Sequence, residues 1–320
     1  MTTIPIDAGA LVTSQKGSLR KRLKDHRLLL LIFLPGLIHL LVFRYAPMVG
    51  LVVAFQDYSP FQGVLRSEWV GLEHFREILE LRQVFTLMWN TLMLGVYRLV
   101  FGFAAPILLA LVINEIQQPT FKRVFQTVSY LPYFISNVVV VSIVATVLSP
   151  YGGLVNRILG LFNIEPIYFM VQPGFFRPIY TLSEIWKTAG WSAIIYLAAL
   201  SNISPELYEA AYSDGAGRLR QAWHVTLPGI TPTIIILLIL NIGGLFGAGF
   251  ELAFLYQNSF NLHHSEILDT YIYKIGLAGS FGLPKYSFAA AIGIFQSVIN
   301  IAFLYGANLL ARKYTEESLW

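Results

Sequence analysis

The sequence predicts an all-α membrane protein with six transmembrane helices and both termini in the cytoplasm. Three observations lead to this fold class. Of the 320 residues, 56% are hydrophobic and only 12% are charged, with a mean hydropathy of +0.61, whereas soluble domains carry about 25% charged residues. Six apolar stretches are long enough to cross a bilayer, and basic residues are unequally divided between the loops that join them. There is no cysteine, which excludes disulfides and thiolate chemistry.

Each crossing of a bilayer core of about 30 Å requires about 20 apolar helical residues. The first span is predicted at Leu28–Phe43, with an extension past Arg44 and Pro47 to Phe55. A cleaved signal peptide is the alternative, but the run is long and no A-x-A site follows it, so we interpret it as a retained span. The other spans are predicted at Phe85–Ile116, Val124–Leu148, Ile179–Leu200, Ile230–Phe254 and Ser287–Ala311.

The orientation is predicted from basic residues near the membrane, which are enriched on the cytoplasmic side. This assigns both termini and the 204–228 loop to the cytoplasm, giving a basic N-terminal segment (1–27), a six-span domain (28–311) and a cytoplasmic tail (312–320). The N-terminal segment is interpreted as an anchor at anionic lipid rather than a nucleic-acid site. The twelve residues on this side are Lys16, Arg20, Lys21, Arg22, Lys24, Arg27, Lys122, Arg123, Arg218, Arg220, Arg312 and Lys313.

A short helix is predicted in the 204–228 loop. Ser204 can cap its N-terminus, Pro205 suits the first helical position, and Asp214-Gly215 is a stop signal. A second basic helical stretch leads to Leu227-Pro228, where the chain is expected to turn back into the membrane. Capped surface helices are common, so this helix alone would not indicate a function. The pattern as a whole is more demanding, because it combines Glu209-Ala210-Ala211, Asp214-Gly215-Ala216, Trp223, Leu227-Pro228 and Pro232 before the penultimate span.

This pattern resembles the cytoplasmic "EAA" loop of ABC-importer permeases. Within that group the chain is similar to binding-protein-dependent sugar permeases, in a branch that includes permeases assigned to oligosaccharide and alginate uptake. The likeness extends over nearly the whole chain. It includes Tyr45-Ala46-Pro47-Met48, Trp69-Val70-Gly71-Leu72, Leu131-Pro132-Tyr133-Phe134-Ile135-Ser136, Leu148-Ser149-Pro150, Tyr196-Leu197-Ala198-Ala199-Leu200 and Glu317-Ser318-Leu319-Trp320.

The resemblance implies a type I ABC importer permease bundle in the inner membrane of a bacterial cell. The chain would form half of a translocation path with a second permease, which is a related and usually different chain. Two ATPase subunits and an extracytoplasmic solute-binding protein would complete the importer, and the carried substrate would be a carbohydrate. The residues expected to couple to the ATPase are Glu209, Ala210, Ala211, Asp214, Gly215, Ala216, Leu227 and Pro228.

No nucleotide site or catalytic motif is recognisable in the chain. It lacks the G-x-x-x-x-G-K-[ST] loop that would cradle phosphates, so we expect ATP and Mg to bind to partner subunits, and we expect this subunit to be no enzyme and to hold no cofactor or metal. The alternative is a secondary transporter or channel that works without an ATPase. That alternative would need coupling-ion carboxylates in mid-span, and the third and sixth predicted spans contain none.

Polar and aromatic residues within the spans are candidates for the substrate path. Arg98 lies inside the second span, where a charge usually faces a cavity or a partner, and Glu251 or Glu184 could pair with it. If the substrate is an acidic oligosaccharide, Arg98 is a candidate to contact it. For each candidate, packing between helices or a purely structural pair is the competing interpretation. The candidates are Arg98, Tyr133, Asn137, Trp191, Tyr196, Asn241 and Glu251.

Two further motifs have open interpretations. Gly243 and Gly247 could form a small face for close helix packing, or could allow the fifth span to bend. His263-His264, with the acidic residues that follow, is interpreted as part of a solvated outer loop rather than as a metal site.

Overall fold

The structure, a computed structural model, describes residues 27–247, 249–279, 282–315 and 317–320. Apart from Arg27, the predicted basic segment 1–27 therefore lies outside the described residues. The chain divides into two units, one ending at Val52 and the other comprising residues 53–320.

The first unit is a single apolar helix in its described part. Helix α1 spans Arg27–Leu40 and is followed by a π turn over Leu41–Tyr45 and a 3₁₀ segment over Ala46–Phe55, which enters the second unit. Together they form a 29-residue candidate membrane span. The predicted extension of the first span to Phe55 is confirmed.

The second unit begins with a small antiparallel ladder in the predicted outer loop. Strand β1 (Gln56–Asp57) pairs with β2 (Glu68–Trp69), with Gln56 opposite Trp69. Helix α2 follows at Glu73–Glu80.

The second predicted span is present as one helix of 33 residues, from Arg82 to Asn114. It consists of α3 (Arg82–Tyr97), a π turn (Arg98–Gly102) and α4 (Phe103–Asn114). The π turn begins at Arg98, and such turns often occur at functional sites.

The third predicted span is not straight. Helix α5 (Pro119–Tyr130) continues as a 3₁₀ turn (Leu131–Phe134), and α6 (Asn137–Val147) leaves it at an angle of 102°. Ser136 starts the new helix, since its side chain accepts a hydrogen bond from the Val139 amide at 3.4 Å. The prediction of one continuous span over 124–148 is therefore wrong. The sequence is largely apolar and uncharged throughout this range, but the helix changes to a 3₁₀ turn around Pro132 and then bends.

The fourth predicted span lies in the 25-residue helix α8 (Phe176–Leu200), which follows α7 (Leu154–Gly160) and a 3₁₀ turn at Pro173–Phe175. Helix α8 contains the charged residues Arg177, Glu184 and Lys187. It is not among the described helices that are long and apolar enough to count as candidate membrane spans.

The 204–228 loop contains two helices, and the second continues into the membrane helix. The predicted turn at Leu227-Pro228 is wrong, because residues 218–243 form one helix with a π turn immediately before Leu227. Thr231 Oγ1 donates to the carbonyl of Leu227 at 3.0 Å beside the proline. The elements are α9 (Pro205–Ser213), α10 (Arg218–Gln221), the π turn (Ala222–Thr226) and α11 (Leu227–Gly243).

The fifth predicted span, Ile230–Phe254, is also interrupted. Helix α11 ends at Gly243, and α12 (Phe250–Tyr256) begins after Gly249, whose φ of +50° lies in the left-handed region. Both interpretations of the glycine run apply, each to a different residue. A Cβ on Gly243 would lie 2.7 Å from Leu304 Cδ1, so Gly243 allows close packing, whereas Gly247 lies in the break.

The chain ends with two short helices and one long one, α13 (Leu262–Ser265), α14 (Leu268–Gly276) and α15 (Tyr286–Tyr314). Helix α15 confirms the sixth predicted span. By length and composition alone, the described residues contain four candidate spans, or five if the bent α5–α6 pair counts as one. A count of six, and the cytoplasmic side of the termini, stay predictions.

Candidate functional site: a capped loop helix and a polar cavity

Helix α9 is closed at both ends by the residues that the sequence analysis singled out. At the N-terminus, Ser204 Oγ accepts a hydrogen bond from the Glu206 amide at 3.3 Å. At the C-terminus, Gly215 has a φ of +74°. The amide of Gly215 bonds to the Tyr212 carbonyl and that of Ala216 to the Ala211 carbonyl, both at 2.9 Å. This is the Schellman arrangement, and it confirms the predicted start and stop of the helix.

The surface of the 204–228 loop is open to a partner. Of the predicted coupling residues, Glu209, Ala210, Asp214, Gly215 and Pro228 are exposed, and Ala211, Ala216 and Leu227 are half-buried. Large apolar side chains accompany them, with exposed fractions of 54% to 77%. These are Leu207, Tyr212, Leu219 and Trp223.

Two hydrogen bonds join helix α9 and the turn that follows it to the helix that enters the membrane. Tyr208 Oη donates to Thr226 Oγ1 at 3.2 Å, and Gln221 Nε2 donates to the carbonyl of Ala216 at 2.9 Å. Thr226 is buried, so the contact lies inside the loop rather than on its surface. This partly buried contact therefore connects α9 with the π turn that leads into α11.

The second region is a polar cavity among α6, α8 and α12. Its volume is about 580 Å³, within the range of about 300–1,000 Å³ that is usual for ligand pockets. The breaks between α5 and α6 and between α11 and α12 both reach it, so unwound backbone lines the cavity, as expected for broken membrane helices. Its lining residues are Tyr133, Asn137, Tyr180, Glu184, Lys187, Thr188, Gly249, Phe250, Glu251 and Leu252.

Arg98 is held by two partners beside this cavity. Its Nε lies 3.0 Å from Glu184 Oε1, and its Nη1 donates to the Gly247 carbonyl at 2.7 Å. Of the two pairings considered from the sequence, the structure contains the one with Glu184. Arg98 also lines an adjacent cavity of about 310 Å³ together with Asn241.

Glu251 is instead part of a three-residue chain. Asn137 Nδ2 donates to Glu251 Oε2 at 2.7 Å, and Lys187 Nζ donates to Asn137 Oδ1. The three side chains come from α12, α6 and α8, so one amide joins three helices. Lys187 follows Glu184 by three residues on α8, a spacing that places both on one helix face.

An aromatic cluster lies beside the same cavity, which one of its members, Tyr133, lines. Tyr133 stacks on Trp191 with ring centroids 4.7 Å apart and planes 7° from parallel. Phe134 meets Trp191 edge-on at 5.7 Å.

The structure does not bring all of the candidates together. Tyr196 is 3% exposed and packs in an apolar cluster with Ala193 and Ile230, as its packing interpretation predicted. The side-chain amide of Asn241 donates a hydrogen bond to the Leu237 carbonyl of its own helix at 2.8 Å. In contrast, Glu184 and Lys187 both line the cavity, although Glu184 was considered from the sequence only as a partner of Arg98 and Lys187 was not a candidate. Their three-residue spacing was the signal that could have identified them.

The predicted outer loop around His263 is polar, and its groups are paired with one another and with Asn90 of α3. Lys274 Nζ lies 2.8 Å from Glu266 Oε1, and Asn90 Nδ2 donates to the carbonyls of His263 and Glu266 at 2.8 and 3.1 Å. Burial, with Arg177 and His263 nearby, lowers the pKa of His264. These contacts give the loop a structural role.

Together, these features define a multi-pass α-helical membrane protein with a polar cavity between broken helices and an exposed, capped loop helix. Residues 102–316 match the family described as "Binding-protein-dependent transport system inner membrane component". The chain belongs to this family, which comprises the non-enzymatic membrane components of ABC transporters.

Relatives and solved structures cover almost the whole chain. It is 44% identical to the polygalacturonan/rhamnogalacturonan transport system permease protein YteP of Bacillus subtilis, over 98% of this chain and 97% of the relative. It is 42% identical to protein LplB of the same organism over the full length of both. A chain from a bacterial alginate ABC transporter, solved with its alginate pentasaccharide-bound periplasmic protein, matches with 40% identity and a TM-score of 0.85, over 95% of this chain and 100% of that one.

Proposed function

We propose that this chain is the permease subunit of an ATP-driven importer for a carbohydrate, and that this carbohydrate is an oligosaccharide. It forms half of the translocation path with a second permease chain. It couples to a separate ATPase through the 204–228 loop, and an extracytoplasmic binding protein delivers the substrate. Relatives that transport polygalacturonan and arabinooligosaccharides support the substrate class.

The observation that carries the coupling role is the exposed helix α9. It is closed by its own caps, it presents the small residues Ala210 and Ala211, and Tyr212 and Trp223 lie uncovered nearby. Small side chains allow a partner to approach the backbone closely, and exposed aromatic residues are typical of interfaces. The bond from Tyr208 to Thr226, and the bond from Gln221 to Ala216 just beyond the helix, connect it to the helix that contains α11.

The proposed mechanism is alternating access. ATP closes the ATPase dimer and draws the coupling helices of the two permeases together. The attached membrane helices then open the path outward to accept the sugar, and hydrolysis returns the assembly. The aromatic ring of Tyr133, which lines the cavity, can stack on a sugar ring, and the polar groups of the cavity can bond to hydroxyls.

The test is reconstitution of the complete importer in liposomes, with ATPase activity and sugar uptake as readouts. We expect Glu209→Lys to abolish binding-protein-stimulated ATPase activity and uptake without reducing membrane insertion. Glu165→Lys is the control, since Glu165 is exposed in the predicted outer loop. Uptake by this chain alone, without any ATPase, would overturn the proposal in favour of a secondary transporter.

A further inference from the structure

We infer that the carried carbohydrate bears carboxylate groups and that Lys187, rather than Arg98, binds one of them in the membrane cavity. This rests on the proposed function, because it names the substrate class and a specificity-determining residue of the same site.

The two cations of this region differ in how completely they are paired. The guanidinium of Arg98 contacts a carboxylate through Nε at 3.0 Å and a carbonyl through Nη1 at 2.7 Å. Its charge is therefore compensated within the protein. A ligand carboxylate would have to displace Glu184, which lies on a neighbouring helix and is itself half-buried.

Lys187 is half-buried as well, but its partner is neutral. Within the described residues, Asn137 Oδ1 is the hydrogen-bond acceptor for its Nζ, and no carboxylate lies within 4.0 Å. An ammonium group has three N–H donors, so two remain for a ligand. An ionised side chain without an opposite charge is unfavourable among membrane helices, and a bound carboxylate would supply that charge.

The carboxylates of the cavity are engaged elsewhere. Glu184 pairs with Arg98, and Glu251 accepts from the amide of Asn137 at 2.7 Å. Asn137 thereby stands between Glu251 and Lys187. An anionic ligand can reach Lys187 without competing for a direct ion pair, whereas it would have to break one at Arg98.

The rest of the cavity suits a sugar acid. Tyr133 lines it and presents an aromatic ring, and Thr188 lies one residue beyond Lys187 with a hydroxyl group. An aromatic face can stack on the apolar face of a sugar ring while the ammonium group binds its carboxylate. Two relatives are consistent with this class, since their names refer to polygalacturonan and alginate, which are both polyuronates.

The inference is tested with charged and neutral forms of the same sugars. The complete importer, with its binding protein, is reconstituted in liposomes as wild type, Lys187→Met and Lys187→Arg. Uptake is measured for oligogalacturonate and alginate oligosaccharides and for their methyl esters, which keep the sugar backbone but remove the charge. Lys285→Met is the control, because Lys285 is exposed outside the cavity.

We expect the wild type to import at least one acidic probe, and Lys187→Met to lower that uptake by about tenfold or more, the size expected for one charge-assisted hydrogen bond. Uptake of the methyl esters should change by less than about twofold, and Lys187→Arg should retain much of the acidic uptake, because the charge remains. Lys285→Met should behave like the wild type.

Two results would overturn the inference alone. One is equal loss of acidic and esterified uptake in Lys187→Met, which would indicate a structural role for the lysine. The other is a wild-type importer that carries neutral oligosaccharides but no acidic probe. A wild-type assembly whose ATPase does not respond to any loaded binding protein would instead overturn the proposed function.

Discussion

The 204–228 loop and the membrane cavity are stabilised in opposite ways. In the loop, hydrogen bonds join residues that are close in sequence, such as Gln221 to Ala216, five residues apart, and Tyr208 to Thr226, 18 apart. In the cavity, Arg98 bonds to a carbonyl 149 residues away, and Asn137 bonds to a carboxylate 114 residues away. The bonds of the loop thus lie within one short segment, whereas those of the cavity join separate helices.

This difference suits an importer. An ATPase subunit that moves the permease needs a well-ordered docking surface, and the local caps of α9 provide one. A path that opens alternately to two sides needs contacts that can be exchanged, and side-chain bonds between separate helices meet that need. The predictions that follow test this division, beginning with the loop.

The largest effect is expected from Gly215→Val. Gly215 adopts a φ of +74°, where a residue with a side chain costs about 1–2 kcal/mol and a β-branched one more. The Schellman closure of α9 should be lost, and uptake and ATPase stimulation in the reconstituted importer should fall by about tenfold or more.

The matched control is Gly217→Val, two residues further on. A Cβ at either glycine would meet open space, but Gly217 has a φ of −69° that any residue can adopt. The control should retain most of its activity. An equal loss of activity in both variants would contradict this. It would mean that the added side chain disturbs the surface of the loop, and that the left-handed conformation of Gly215 is not the cause.

The next largest effect is expected at the cavity. Arg98→Ala leaves the Glu184 carboxylate partly buried without its partner, and Glu184→Ala does the same to Arg98. Removing one member of a fully buried pair costs about 3–5 kcal/mol. Since these side chains are 30% and 22% exposed, we expect about 1–3 kcal/mol, measured as a lower melting temperature and lower abundance.

The double variant Arg98→Met with Glu184→Met separates stability from transport. It removes both charges and should recover most of the lost stability. Recovered stability with recovered transport would show that the pair is structural. Recovered stability with defective transport would place Arg98 or Glu184 on the path.

The 204–228 loop and the cavity also differ in how much of their structure could be predicted from the sequence. The caps of α9 depend on residue types at fixed spacings, so Ser204, Pro205 and Gly215 could be assigned before the structure. The apolar runs that became α1 and α15 were similarly predictable, since hydropathy and length define a span.

The break between α5 and α6 could not be predicted in this way. Hydropathy over 124–148 is continuous, yet the chain bends by 102° between α5 and α6, because Pro132 and the capping hydroxyl of Ser136 act on the backbone and not on polarity. Nor could the pairing in the cavity be assigned, since the choice between Glu184 and Glu251 as the partner of Arg98 depends on how α8 and α12 pack.

A smaller effect is expected from Tyr208→Phe, which removes the hydroxyl that donates to Thr226 at 3.2 Å. One such bond contributes about 0.5–1.5 kcal/mol, so α9 should remain folded but be held less firmly. We expect ATPase stimulation to fall by about two- to fivefold and amide exchange over 205–213 to accelerate. Tyr212→Phe is the control, because Tyr212 is 77% exposed, and it should match the wild type in amide exchange.

The smallest effect is expected at Tyr196, which distinguishes packing from substrate contact among the aromatic residues. Its side chain is buried against Ala193 and Ile230 and meets Phe103 edge-on, and it is not among the residues that line the cavity around Lys187. Tyr196→Phe keeps the ring, so uptake per folded protein and the melting temperature should both stay near the wild-type values. Trp191→Leu should behave differently, since it removes the ring on which Tyr133 stacks, and it should lower uptake at an unchanged protein level. A loss of sugar affinity in Tyr196→Phe would contradict this, because it would mean that the path reaches a helix face that is closed in the present arrangement of the bundle.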